Sequence, residues 1–157
     1  MKFFVKKLRS NESGYSGNIS DQRGKFILIP KYCYEFFPTH STKFLNDITL
    51  VDFKTPQGNI ISRKYDWHNA KYHLSSRKDL SRDHDEKRLY RSLSLDKDLS
   101  LDREVFFICC KSDYREKYFC FSVTKSDEYY DYLNENYLKA QITEDKTIDT
   151  IFSSICH

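Results

Sequence analysis

Two polar stretches hold most of the residues able to do chemistry. The first, residues 9–25, contains Arg9, Ser10, Asn11, Asn18, Gln22, Arg23 and Lys25, with Lys6 and Lys7 just ahead of it. The second, residues 63–91, contains Arg63, Lys71, Arg77, Lys78, Arg82, Lys87, Arg88 and Arg91, interleaved with Asn69, His84, Asp85 and Glu86. Lys and Arg grip phosphate oxygens or guanine edges, Asn and Gln pair with adenine, and a carboxylate accepts from the cytosine amino group. That is the inventory of a reader of the major groove of double-stranded DNA. The acids matter, because a patch that only held phosphates would gain nothing from Asp85 or Glu86. They can fix arginine side chains in one pose or read cytosine directly. The plain alternative is a pair of solvated loops.

Catalysis has a weaker claim. Glu144-Asp145-Lys146, with Asp131 upstream, supplies the carboxylates and lysine of a small magnesium-dependent nuclease. In a chain that is 31% charged such a triplet arises by chance, and no Pro-Asp pair precedes it. A His-x-Lys nuclease motif is absent, since His68-Asn69-Ala70-Lys71 is one residue too long, and there is no glycine-rich phosphate loop. The five cysteines, at 33, 109, 110, 120 and 156, have no Cys-x-x-Cys spacing. They read as reduced, buried thiols of a cytoplasmic protein, and Cys109 and Cys110 on one strand would point to opposite faces. His68 and His73 lack Cys or carboxylate partners at ligand spacing, so neither a metal nor a cofactor is expected, and the domain is read as having no catalytic centre.

Charge is divided along the chain. Residues 1–93 carry 18 Lys/Arg against 10 Asp/Glu, and residues 94–157 carry 8 against 13. A basic part on a chain of net charge only +3 suits phosphate recognition by one lobe. The acidic part leaves a third reading open, a protein-interaction module. No apolar run approaches the roughly 18 to 20 residues that span a bilayer, and the opening residues meet charges too early for a secretory leader.

The elements that must position these residues are mostly strands. Residues 2–8 and 25–29 are rich in aromatic and β-branched side chains, and Pro30 opens a short helix over 31–37 that Pro38 ends. Residues 48–54 and 59–67 form a hairpin around Thr55-Pro56-Gln57-Gly58. Residues 68–103 read as polar, with scattered leucines. Residues 104–111 are the most apolar strand and 118–123 return beside it. A Ser126-Asp127-Glu128 helix start then leads to Tyr130, Leu133 and Tyr137 on one face. At 157 residues this is a single domain; 141–157 can add one more short strand or helix, with 144–157 alternatively a linker to a missing catalytic domain. The fold class is mostly β with two short helices, closing as an open β-barrel.

The chain resembles the N-terminal effector DNA-binding domain of the EcoRII-type restriction endonucleases, a plant B3-like DNA-binding pseudobarrel. Residues Phe3-Phe4-Val5-Lys6-Lys7-Leu8, Asn11-Glu12-Ser13-Gly14, Gly17, Ile29-Pro30 and Phe36-Phe37-Pro38 carry the first part of the resemblance. Arg63, Trp67, Asn69, Lys71 and Glu86-Lys87-Arg88-Leu89 carry the second, and 119–123 with Ser126-Asp127-Glu128 a third. His84 and Asp85 stand where the family has Arg-Asn, and residues 18–25 and 72–83 look longer than the family's. The resemblance implies two arms, around residues 9–23 and 69–91, that grip DNA from the major groove. It also implies a separate nuclease catalytic domain as partner. Lys6, Lys7, Lys25, Lys71 and Arg91 are then the expected phosphate contacts. Arg9, Asn11, Asn18 and Arg23, with Arg82, His84, Asp85, Glu86, Lys87 and Arg88, are the expected base readers.

Overall fold

The computed structural model describes residues 1–9, 12, 26–37, 48–56, 58, 60–68, 71–75, 104–111 and 117–155. Its strands are β1 (Phe3–Lys7), β2 (Phe26–Ile29), β3 (Ile48–Lys54), β4 (Ile60–His68), β5 (Lys71–Ser75), β6 (Val105–Lys111), β7 (Lys117–Thr124) and β8 (Gln141–Thr143). A 3₁₀ helix (Lys31–Phe36) follows β2, helix α1 (Tyr130–Asn136) follows β7, and helix α2 (Lys146–Ile155) follows β8. Among the described residues the strands form one mixed sheet in the order β2-β5-β4-β3-β7-β6-β1-β8. Neighbours are antiparallel except β3 and β7, which run parallel with Phe53 opposite Tyr118.

Strands β1, β6 and β7 are apolar on both sides because both sides are covered. Val105, Phe107 and Cys109 face one core, with Phe4, Leu8, Ile27, Ile29, Cys33, Phe36, Phe37, Phe53, Tyr118 and Cys120. Phe106, Ile108 and Cys110 face the other, with Phe3, Val5, Phe121, Val123 and the helix residues Tyr130, Leu133, Tyr137, Ile148 and Ile151. The two neighbouring cysteines of β6 therefore point to opposite faces, as strand geometry requires. The first core draws buried side chains from β1, β2, β3, β6 and β7, with Ile142 of β8 packed against it. Strands from both ends of the sheet meet there, so the sheet curls around that core.

The curl does not become a hydrogen-bonded barrel. Among the described residues strand β2 pairs only with β5 and strand β8 only with β1, so both are edges. The hairpin turn after β3 is closed as expected, by the Gly58 N–H donating to the Thr55 carbonyl at 2.9 Å. Gly58 has a φ of +86°, which an L side chain rarely adopts.

Three readings are corrected. Within the polar stretch 68–103, residues Lys71–Ser75 form β5, paired on both sides, with β4 and with β2. Its Tyr72 and Leu74 alternate with polar neighbours, a strand period too short to stand out in a charged stretch. Helix α1 starts at Tyr130 and has no side-chain cap. Asp127 instead closes the end of β7, its carboxylate accepting the Thr124 N–H at 2.6 Å and the Thr124 hydroxyl at 3.1 Å. Beyond the two expected helices, α2 packs Ile148 and Ile151 fully buried into the second core. Among the described residues no helix is long and apolar enough to cross a membrane.

Candidate nucleic-acid interface

The two long polar segments, 9–25 and 76–104, leave and rejoin the sheet side by side. Leu8, at the end of β1, donates its N–H to the Val105 carbonyl at 2.8 Å, and Lys7 lies opposite Phe106. Phe26, at the start of β2, lies opposite Ser75, the last residue of β5. Both strands that carry the first segment thus flank the strands that carry the second. Ordinary antiparallel register produces this: β1 and β6, like β2 and β5, run in opposite senses, so the exit of one lies beside the start of the other.

The β4–β5 hairpin lies elsewhere. Arg63 is opposite Val51 in mid-sheet, and Lys71 pairs with His68 at the hairpin end. Tyr72 pairs with Ile29, so this hairpin closes at the end of β2 remote from the first segment. The second polar stretch is therefore divided, with Arg63 and Lys71 before or within β5 and the Arg- and Lys-rich part after it. Ser10, Asn11, Asn18, Arg23, Lys25, Asn69, Arg77, Lys78, Arg82, His84, Asp85, Glu86, Lys87, Arg88 and Arg91 lie outside the described residues.

Lys6 is not a surface phosphate contact. It shares the inner face of β1 with Phe4 and Leu8, and its ammonium meets the Glu12 carboxylate at 2.6 Å and the Leu28 carbonyl at 2.7 Å. Both side chains of the pair are below 10% exposed. Burial pulls the Lys6 pKa down, and the Glu12 carboxylate acts the other way. Glu12 does more than pair: its carboxylate also accepts the Leu28 N–H at 2.9 Å and the Arg9 N–H at 3.1 Å. One carboxylate thus ties both ends of the first polar segment, β1 and β2, to each other. Glu12 is an acid near the start of a basic stretch, and residue type alone does not set its inward direction.

Lys7, on the opposite face of β1, is half-buried. Its ammonium donates to Asn134 Oδ1 at 2.8 Å, lies 3.5 Å from Glu104, and is 5.9 and 5.8 Å from the ring centres of Phe106 and Tyr130. The Tyr130 hydroxyl donates to Glu104 at 2.6 Å, and this bond chiefly holds the Glu104 carboxyl below its usual range, with Lys7 and Lys125 adding to it. Arg9 is exposed. It lines a groove of about 340 Å³ between the end of β1 and the turn before β8, together with Lys6, Lys7, Tyr32, Leu138 and Lys139. Cys33, in the first core, has its thiol pushed up to about 11 by burial, which makes it a poor nucleophile.

The residues of the nuclease reading have other surroundings. Asp131, Glu144 and Lys146 are exposed. Asp145 is tied up structurally: its carboxylate accepts the Tyr132 and Tyr137 hydroxyls at 2.6 Å each and the Thr147 N–H at 2.8 Å. It caps α2 and binds that helix to α1. Among the described residues no three His, Cys, Asp or Glu gather to hold a metal ion.

The Asp145 cluster has a definite pH window. Burial opposes its ionisation, yet the tyrosine and Thr147 hydrogen bonds prevail and hold its pKa below 3.8. Tyr132, through its bond to Asp145, and Tyr137, through burial and then that same bond, titrate above 10.0. A depressed acid contributes stability above its unfolded pKa and loses it as pH falls through the folded value. A raised tyrosine contributes below its unfolded pKa and loses it as pH rises through the folded one. Asp145→Ala should therefore destabilise the protein by about 2–3 kcal/mol at neutral pH, a lost cap plus charge-assisted hydrogen bonds. In urea titrations the difference from the parent should be flat from about pH 5 to 9 and shrink below about pH 4. A difference that persists unchanged at pH 2 would remove the carboxylate from this role.

No family model matches the chain, and no curated protein does. The curled mixed sheet has a counterpart among solved structures, and the likeness is one of fold. The N-terminal domain of Helicobacter pylori LlaJI.R1 is similar with a TM-score of 0.59 and 17% sequence identity, over 92% of this chain and 99% of that one. A hypothetical Arabidopsis thaliana protein matches at 17% identity over 78% of this chain and 91% of its own, with a TM-score of 0.40.

Proposed function

We propose that the chain binds double-stranded DNA sequence-specifically through two recognition arms in the major groove. It would act as the effector or target-recognition domain of a type II restriction endonuclease whose catalytic centre lies in another domain or subunit. The observation that carries this reading is the common root of the two polar segments, at Leu8–Val105 and Phe26–Ser75. Segments anchored at adjacent strand ends can enter one groove together, and the Lys6–Glu12 clamp fixes the base of the first. The fold likeness to the LlaJI.R1 N-terminal domain and the sequence resemblance to the EcoRII-type effector domains agree with it.

A B3-like pseudobarrel also fits this reading. The 3₁₀ helix after edge strand β2 reaches the other edge, where the Tyr32 hydroxyl donates to the Ala140 carbonyl, one residue before β8, at 2.5 Å. A side-chain bond would then bridge the gap that no strand pairing closes. With Lys6 turned inward and Lys7 engaged by Asn134 and Glu104, phosphates fall to Lys25, Lys71 and Arg91. The base-reading residues remain Arg9, Asn11, Asn18 and Arg23 in one arm and Arg82 to Arg88 in the other.

Selection of bound duplexes from a random library tests the reading. One enriched motif of about four to six base pairs is expected, with roughly 5–8 phosphates neutralised and a log–log salt slope of about −0.9 for each. Arg88→Ala should weaken binding to that motif about 10- to 100-fold and leave scrambled duplex nearly unchanged. Equal weakening on both would remove Arg88 from base reading, and no enrichment at low salt would overturn the proposal. Magnesium-dependent cleavage abolished by Glu144→Ala would replace it with the nuclease reading.

A further inference from the structure

We infer that the groove between the end of β1 and the α1–β8 turn is a third point of contact, which takes a backbone phosphate beside the root of the first arm, with Lys139 as its principal cation. The inference rests on the DNA-binding reading and extends its footprint to a part of the chain that the sequence left unassigned. The groove, about 340 Å³, is lined by Arg9 and Lys139, both exposed, and by parts of Lys6 and Lys7. Those two are already engaged, by Glu12 and by Asn134 with Glu104. Among the described residues neither the Arg9 guanidinium nor the Lys139 ammonium pairs with a carboxylate, so the open charge of the groove is theirs.

The turn that carries Lys139 is fixed. The Tyr32 hydroxyl donates to the carbonyl of the next residue, Ala140, which ties the turn to the 3₁₀ helix. A held cation loses less side-chain and loop freedom on meeting an anion than one on a loose loop. Two of the four large exposed hydrophobics among the described residues, Tyr32 at 65% and Leu138 at 80%, also line this groove. Apolar rims beside paired cations suit a sugar-phosphate strand, whose deoxyribose edge is apolar and whose phosphate is anionic. They do not suit a small, fully hydrated anion. Arg9 stands at the start of the first arm, so a strand held by that arm would run on into this groove.

The experiment uses the full chain and the duplex enriched by the wild-type protein, in a long form with flanks and a form trimmed to the enriched motif. Lys139 is exposed, so Lys139→Ala should fold as the parent does. On the long duplex it should lower affinity about three- to tenfold, on specific and scrambled sequence alike, and make the log–log salt slope shallower by about 0.9. Lys139→Glu should weaken binding further. On the trimmed duplex, parent and variant should converge. Protection of Lys139 from amine acylation by the long duplex, and none by millimolar inorganic phosphate, identifies a nucleic-acid strand as the source of the phosphate. Equal protection by inorganic phosphate would overturn the strand as ligand. If the parent retains its motif preference but Lys139→Ala matches it in affinity and slope, the third contact is wrong and the two-arm reading stands. If the parent shows no motif preference, that reading fails first.

Discussion

Glu12→Gln should cost this domain about 3–5 kcal/mol, the loss typical when one member of a buried ion pair is removed and the other charge is left uncompensated. Against a total of roughly 5–15 kcal/mol for a domain, that is a large fraction of its stability. Lys6 would remain inside, beneath Phe4 and Leu8, with only the Leu28 carbonyl of its present partners. The Leu28 and Arg9 N–H groups would lose an anionic acceptor at the same time. The pH dependence separates this cause from simple misfolding. A lysine whose folded pKa is lowered binds fewer protons when folded, so stability rises with pH between its folded and unfolded values. Burial already lowers the Lys6 pKa, and removal of Glu12 takes away the charge that raises it. The deficit of Glu12→Gln in urea unfolding should therefore be largest at neutral pH and shrink toward about pH 10, as Lys6 gives up its proton. A deficit independent of pH would show that Lys6 stays outside the effect. Because the same carboxylate joins β1 to β2, DNA affinity of the folded fraction should also fall, with the motif preference weakened.

Phe4→Ala is expected to lose a similar amount, about 3–5 kcal/mol, for a different reason. Phe4 is fully buried, with ring centres 5.7 Å from Phe37, 6.1 Å from Phe36 and 6.4 Å from Phe107. Those neighbours come from the 3₁₀ helix, the residue after it and β6, so the cavity would be walled from three directions and could not collapse. Phe152 on α2 offers the contrast. It meets Phe3, Phe119 and Phe121 at the edge of the second core and is only partly buried. Phe152→Ala should cost no more than about half as much, since water can reach the space it leaves. Equilibrium unfolding in urea measures both, with m-values unchanged if the unfolded states match. A Phe4→Ala loss under about 1.5 kcal/mol would mean that the sheet relaxes into the gap like a flat layer, against a curled core.

Part of this molecule was legible because its signals are local. The run from Val105 to Cys110 has no polar position, so it had to be a strand covered on both faces. Tyr130, Leu133 and Tyr137 fall on one side of a helix, and all three are buried. The hairpin at Thr55–Gly58 follows from Pro56 and Gly58. Other elements depended on distant partners. Strand β5 owes its existence to pairing on both sides, with β2 and β4, and five residues with two apolar positions show little of that in advance. Asp127 had the residue type and spacing of a helix start, and tertiary geometry turned it back onto Thr124 instead.

The chain by itself determined which residues must be buried, the strand periods, and the gathering of cations into two polar segments, since hydrophobic period and charge are written in residue types. Only the tertiary structure decided that those segments share a root, that Lys6 faces inward, and that Glu12 closes the base of the first. A strand's two faces are equivalent until a partner covers one of them, and a lysine's direction is set by whether a carboxylate waits inside. Strand register then brings Leu8 beside Val105, and Phe26 beside Ser75, from positions far apart in the chain.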